Sequence, residues 1–117
     1  MNDANAEANP QLTINSRHLE DPAPAKKYAE EKFGRIGKFS LKLRTVQVML
    51  QPEGGQFLCE AVLTQDHSPR IVVAVQAGDL NSAIDLAVDR AERLLVREKE
   101  RVSERRHRPA GAAPEEN

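Results

Sequence analysis

The chain has 117 residues, a formal net charge of −1, 39% hydrophobic and only 3% aromatic residues. That length holds one domain with a modest, largely aliphatic core, and the near-neutral charge excludes a uniformly basic polyanion binder. No apolar run of about eighteen residues reads as a membrane span, the opening MNDANAEANP lacks the basic and apolar regions of a secretory signal, and Cys59 has no partner for an intrachain disulfide. A cytoplasmic location is the resulting expectation.

Residues 1–10 are small and polar and read as a disordered extension. QLTINS follows, with Leu12 and Ile14 alternating with polar neighbours as in a short strand. Asp21 then stands before Pro22, an N-cap followed by a proline at the first helical position. Ala25, Tyr28, Ala29, Lys32 or Phe33, and Ile36 keep helical spacing, and Gly34 and Gly37 set the end of that helix. Three strands come next. RTVQVMLQ puts Val46, Val48 and Leu50 on one face, QFLCEAVLTQ does the same for Phe57, Cys59, Ala61 and Leu63, and RIVVAVQA for Ile71, Val73 and Val75. PEGG and DHSP separate them and carry turn chemistry, so two hairpins are predicted. GDLNS opens a second helix with Asp79 as N-cap, running to about residue 106, and 107–117 read as a disordered tail.

The order is β-α-β-β-β-α over residues 11–106. A parallel pairing of the first two strands by a right-handed crossover, with both helices on one sheet face, gives an α+β fold. It is a single domain with a four-stranded mixed sheet and two helices packed on one face.

Charge distribution is more informative than net charge. Residues 26–44 hold seven Lys or Arg against two Glu, and 83–108 hold eight of the chain's seventeen basic residues. At about 100° per residue, Leu80, Ala83, Ile84, Ala87, Val88, Ala91, Leu94 and Leu95 fill an arc of roughly 140° on the last helix. Arg90, Arg93, Arg97, Arg101 and Arg108 fall in an adjoining arc of roughly 80°, with Asp85, Asp89 and Glu92 on the opposite flank. A guanidinium keeps its charge and grips phosphate oxygens in a fixed fork, so an arginine row points to a polyanion and to nothing narrower. A solvated helix laced with i,i+4 pairs is the competing reading; Asp89 with Arg93 fits it, and Asp85 with Asp89 does not. If the two helices lie side by side, Lys26, Lys27, Lys32, Arg35 and Lys38 extend the basic surface.

Catalytic and metal chemistry is not indicated. His18, His67 and His107 lack ligand spacing with Cys59 or one another. Cys59 lies on a core face and reads as an inert buried thiol. PEGG lacks the Lys and Ser/Thr of a phosphate loop. The chain reads as a non-enzyme without metal or cofactor.

INSRHLE at 14–20, YAEEKF at 28–33 and GDLNSAIDLAVDRAERLL at 78–95 resemble the ribosome hibernation promoting factor and ribosome-associated inhibitor family. The resemblance spans about residues 11–106. It implies a β-α-β-β-β-α domain that binds the small ribosomal subunit in the channel of messenger and transfer RNA, inhibiting translation and preserving idle ribosomes. Carried onto this chain, it implies ribosomal-RNA contacts at Arg17, Lys26, Lys27, Arg35, Lys38, Arg90, Arg93, Arg97 and Arg101. Two departures stand out: Asn81 replaces a frequent aromatic residue, and Glu98, Glu100 and Glu104 dilute the basic end of the last helix. Long members carry an added domain that pairs two ribosomes, and the PAGAAPEEN tail gives this chain the look of a short form.

Two alternatives belong to other classes. One is a free double-stranded RNA-binding domain. The other is a protein-interaction module, or a weak homodimer, on the open sheet face, where Leu58, Val62, Val72 and Ala74 point away from the core.

Overall fold

A computed structural model describes residues 9–107, with side chains described through residue 101. The expected disordered segments fall largely outside these residues, as does Arg108. Strand β1 (Gln11–Ser16), helix α1 (Pro22–Phe33), strands β2 (Leu43–Glu53), β3 (Gln56–Gln65) and β4 (Ser68–Ala77), and helix α2 (Leu80–His107) follow one another in the expected order. The sheet order is β1-β2-β3-β4, with β1 parallel to β2 and the other neighbours antiparallel.

Alternation decides which side of the sheet is buried. Ile14 pairs with Val48, Val48 with Ala61, and Ala61 with Val73, so one row of apolar side chains crosses all four strands. All four are buried against the helices, together with Val46, Leu50, Cys59, Leu63 and Val75. Helix α1 packs over β1 and against α2, and α2 lies over β3 and β4. Ala25, Ala29 and Phe33 form the buried stripe of α1. Of the two residues that spacing allowed at its last turn, Phe33 enters the core, while Lys32 lies over the Tyr28 ring.

The turns are tighter than predicted. Pro52 and Glu53 belong to β2, and only Gly54 and Gly55 make the first hairpin turn, with φ of 55° and 84°. Two successive positive φ values are what a two-residue turn needs to match strand twist, and glycine adopts them without a Cβ penalty. Pro52 is tolerated because the backbone groups of even-numbered residues here face β1, as Leu50 O does when it accepts from Arg17 N–H. That ladder has ended by residue 52, so the missing N–H removes no bond. The second turn is only Asp66–His67, and Pro69 lies on the edge strand β4.

Helix α1 stops earlier than its apolar spacing suggests. A Cβ at Gly34 would stand 2.7 Å from Glu30 O, so the chain closes this turn with a residue that has none. Ile36 then belongs to a separate 3₁₀ turn, Ile36–Phe39, and is fully buried there. This turn packs against α2.

Candidate nucleic-acid interface

Helix α2 is the scaffold of the charged surface. Its 28 residues extend about 42 Å at 1.5 Å per residue. Asp79 caps it: Oδ1 accepts from Ser82 N–H at 2.8 Å and Oδ2 from Ser82 Oγ–H at 3.0 Å. Ala83, Ile84, Ala87, Val88, Ala91 and Leu95 are buried, so the rotation of the helix about its axis is fixed by apolar packing.

Two hydrogen bonds identify its flanks. The Tyr28 hydroxyl donates to Asp85 Oδ1 at 2.7 Å, so the acidic flank faces α1. Arg90 Nη1 donates to Ala74 O at 3.4 Å, so the arginine flank lies toward the edge strand β4. Arg97 and Arg101 follow Arg90 after two and three turns on the same side, and all three are exposed. Arg93 stands one turn beyond Arg90, nearer the crest of the helix, and is exposed as well.

This arrangement modifies the idea that the basic residues of both helices merge. Lys26 and Lys27 sit in the first half of α1, separated from the arginine row by the seam where Tyr28 meets Asp85. Arg17 is exposed at the end of β1, its N–H bonded to Leu50 O at 2.9 Å, and the adjacent His18 has a left-handed φ of 58°. Arg35 is exposed just before the 3₁₀ turn. Lys38 is different. It and Phe39 approach α2 beside Val96, Lys99 and Glu100, while Phe39 also borders Arg93 and Arg97. The 3₁₀ turn thus brings Lys38 to the arginine-bearing segment.

The row is partly neutralised within the protein. Arg93 pairs with Asp89 at 2.9 Å, and Arg101 with Glu98 at 2.8 Å. Both arginines remain more than half exposed, and surface pairs of this kind contribute little and exchange readily for a stronger anion. Among the described residues, Arg97 has no carboxylate within 4.0 Å. Burial and the neighbouring Asp89 push the Glu92 carboxyl above its ordinary range, and Lys38 partly opposes this. Arg44, not a candidate, is held by Asp66 at 2.6 Å, and the hydrogen bond lowers the Asp66 carboxyl.

Phe39 and Lys99 carry little signal in the sequence. Lys99 falls outside the arginine arc of α2, and the lone aromatic in GRIGKF carries no period that marks it as exposed. Its place at the end of the 3₁₀ turn, directly after Lys38, becomes informative only when α2 is placed beside it.

The remaining chemistry is structural. Cys59 is fully buried, and burial raises its thiol to about 12, far above a reactive thiolate. Among the described residues, no cluster of three His, Cys, Asp or Glu side chains has metal-holding geometry. No described helix is long and apolar enough to cross a membrane. The open sheet face is moderately apolar: Val72 is 51% exposed, and Leu58 and Val62 are half-buried.

The family model for Sigma 54 modulation protein / S30EA ribosomal protein matches residues 12–103. The chain belongs to this family. Its relatives in the family include a ribosome hibernation promoting factor of Pseudomonas putida, 32% identical over 91 residues, which cover 78% of this chain and 88% of that protein. Another, from Azotobacter vinelandii, is 30% identical over 102 residues, covering 86% and 94% of the two chains. The fold is shared with the Thermus thermophilus Protein Y N-terminal domain at a TM-score of 0.64 and 27% identity, over 77% of this chain and 98% of that one. It is shared at a TM-score of 0.66 with a ribosomal subunit interface protein from Coxiella burnetii, which is 16% identical over the same proportions of the two chains. The β-α-β-β-β-α architecture and the family membership expected from INSRHLE, YAEEKF and GDLNSAIDLAVDRAERLL are therefore both borne out.

Proposed function

We propose that this protein is a non-catalytic, cytoplasmic ribosome-binding factor that docks on the small subunit in the channel of messenger and transfer RNA. There it inhibits translation and preserves idle ribosomes. The observation that carries this reading is the exposed row Arg90, Arg93, Arg97 and Arg101 beside strand β4, in a chain of a ribosome-hibernation family. The row is the principal RNA contact, because arginines fixed on a rigid helix meet successive phosphates without ordering a flexible segment first. Lys38 and Arg35 extend it from the 3₁₀ region. Lys26, Lys27 and Arg17 form a second contact, separated from the first by the acidic seam.

Cosedimentation with purified small subunits tests the reading. The Arg93→Glu/Arg97→Glu double variant should lose association while keeping its thermal unfolding cooperative. Association equal to that of the unmodified protein would remove the arginine row from the interface. Equal binding to an isolated RNA duplex and to small subunits would favour a free double-stranded RNA binder instead.

The exposure of Val72 beside Val62 on adjacent strands favours one further contact, a weak homodimer through the open sheet face. A concentration-dependent mass for the unmodified chain, absent in Val72→Lys, is its test.

A further inference from the structure

The cleft between the 3₁₀ turn and α2 combines features that a purely electrostatic phosphate contact does not require. One hollow of about 400 Å³ is lined by Phe39, Glu92, Arg93, Val96, Arg97 and Glu100. A second of about 290 Å³ shares Phe39, Val96 and Glu100 and adds Lys38 and Lys99. The floor is an aromatic ring and an isopropyl group, both only half-buried. Around it stand four cations, Lys38, Arg93, Arg97 and Lys99, against two carboxylates, Glu92 and Glu100. Asp89 holds Arg93 at 2.9 Å, so part of that charge is already engaged. Lys38 Nζ lies 5.6 Å from the centre of the Phe39 ring, near enough to swing from the ring to an arriving anion.

From this geometry we infer that the cleft receives one unpaired nucleotide of single-stranded RNA, its base on Phe39 and Val96 and its phosphate on the surrounding cations. An unpaired nucleotide is the ligand whose parts match: a flat, weakly polar body joined to an anion at fixed reach. Aromatic side chains beside a cationic track hold single strands in this way, and every base offers a face to the ring. A duplex does not fit, because its bases are stacked on one another and present only edges. The two carboxylates add a preference. Each accepts from the exocyclic amino group of adenine or cytosine, whereas uracil offers a carbonyl at the corresponding place and meets repulsion.

The inference deepens the ribosome-binding reading and rests on it for the source of the RNA, yet it is measurable separately. The probes are a decamer of adenylate, a decamer of uridylate and an abasic ribose-phosphate decamer of equal charge, each titrated against the full chain by fluorescence anisotropy. Stacking of one base on an aromatic side chain should make the adenylate decamer bind about tenfold more tightly than the abasic one, with uridylate between them. Phe39→Leu keeps the apolar packing and removes the ring, and should bring adenylate to the abasic level. Thermal unfolding of the variant confirms the fold, and Lys99→Ala serves as a second variant, expected to weaken all three probes alike. Equal affinity for adenylate and abasic decamers, or no effect of Phe39→Leu in a folded protein, overturns the inference. If the unmodified chain still cosediments with small subunits in that case, the ribosome-binding reading stands without the nucleotide site. If cosedimentation fails, that reading falls, and the adenylate-to-abasic ratio still decides the cleft.

Discussion

The Tyr28 hydroxyl and the Asp85 carboxylate, 57 residues apart in sequence, meet at 2.7 Å and join α1 to α2. This bond marks the acidic flank of α2 as the one that faces α1, with Arg90 on the other flank beside β4. The Tyr28 hydroxyl is raised above 10.0, first by this hydrogen bond and then by burial and the Asp85 charge. The native state therefore holds the proton more tightly than the unfolded chain, so the stabilisation is complete below pH 10.0 and lost as pH rises through the folded value. Tyr28→Phe should lower the denaturant midpoint at neutral pH, and the difference from the unmodified protein should shrink above that pH. Urea titrations at neutral and alkaline pH check this; a pH-independent difference would mean that the bond does not form in solution.

Glu92 gives a titration of the opposite kind. Burial and Asp89 raise its carboxyl above 4.5, so its ionisation disfavours the folded state at neutral pH. Stability linked to this group is present below 4.5 and lost as pH rises through the folded value. Glu92→Gln should raise the urea midpoint at pH 7, with the gain vanishing under acidic conditions. A gain of the same size at acid pH would assign the effect to something other than charge.

Asp79 caps α2 through Ser82. Replacing it with Ala should cost about 0.5–2 kcal/mol, measured by chemical denaturation, with ribosome association retained at temperatures well below unfolding. A larger loss of binding than of stability would place Asp79 itself in the interface.

Cys59, with its thiol raised to about 12, should resist iodoacetamide in the folded protein at pH 8 and react quickly in urea. Rapid labelling without urea would show that β3 opens locally far more often than its buried register implies.

The strand faces, both helix stripes and the Asp79 cap were legible because each depends on local periodicity or on one residue beside a helix start. Val46, Val48 and Leu50 need only alternation to be assigned to one side. The turn ends were less legible, since Pro52 and Pro69 read as breakers until neighbouring strands show where no N–H is required. Ile36 kept helical spacing and still left α1, because Gly34 ends that helix through a close approach to Glu30 O. The candidate site divides along the same line. The angular sorting of Arg90, Arg93, Arg97 and Arg101 from Asp85, Asp89 and Glu92 follows from helical pitch alone. Which flank meets α1 does not, since it depends on the order of helices across the sheet. That order keeps Lys26 and Lys27 apart from the arginine row and brings Phe39 to it, with Lys38 alongside at Lys99 and Glu100.

The proposed ribosome contact depends above all on arginines of α2 meeting RNA phosphates. The most direct measurement is the affinity for small ribosomal subunits as a function of salt, for the unmodified protein and for Arg93→Gln/Arg97→Gln. Each phosphate contact contributes about 0.7–0.9 to the slope of log affinity against log salt. The double variant should therefore bind more weakly at low salt, with a slope shallower by about 1.4–1.8. An unchanged slope with unchanged affinity would contradict the claim.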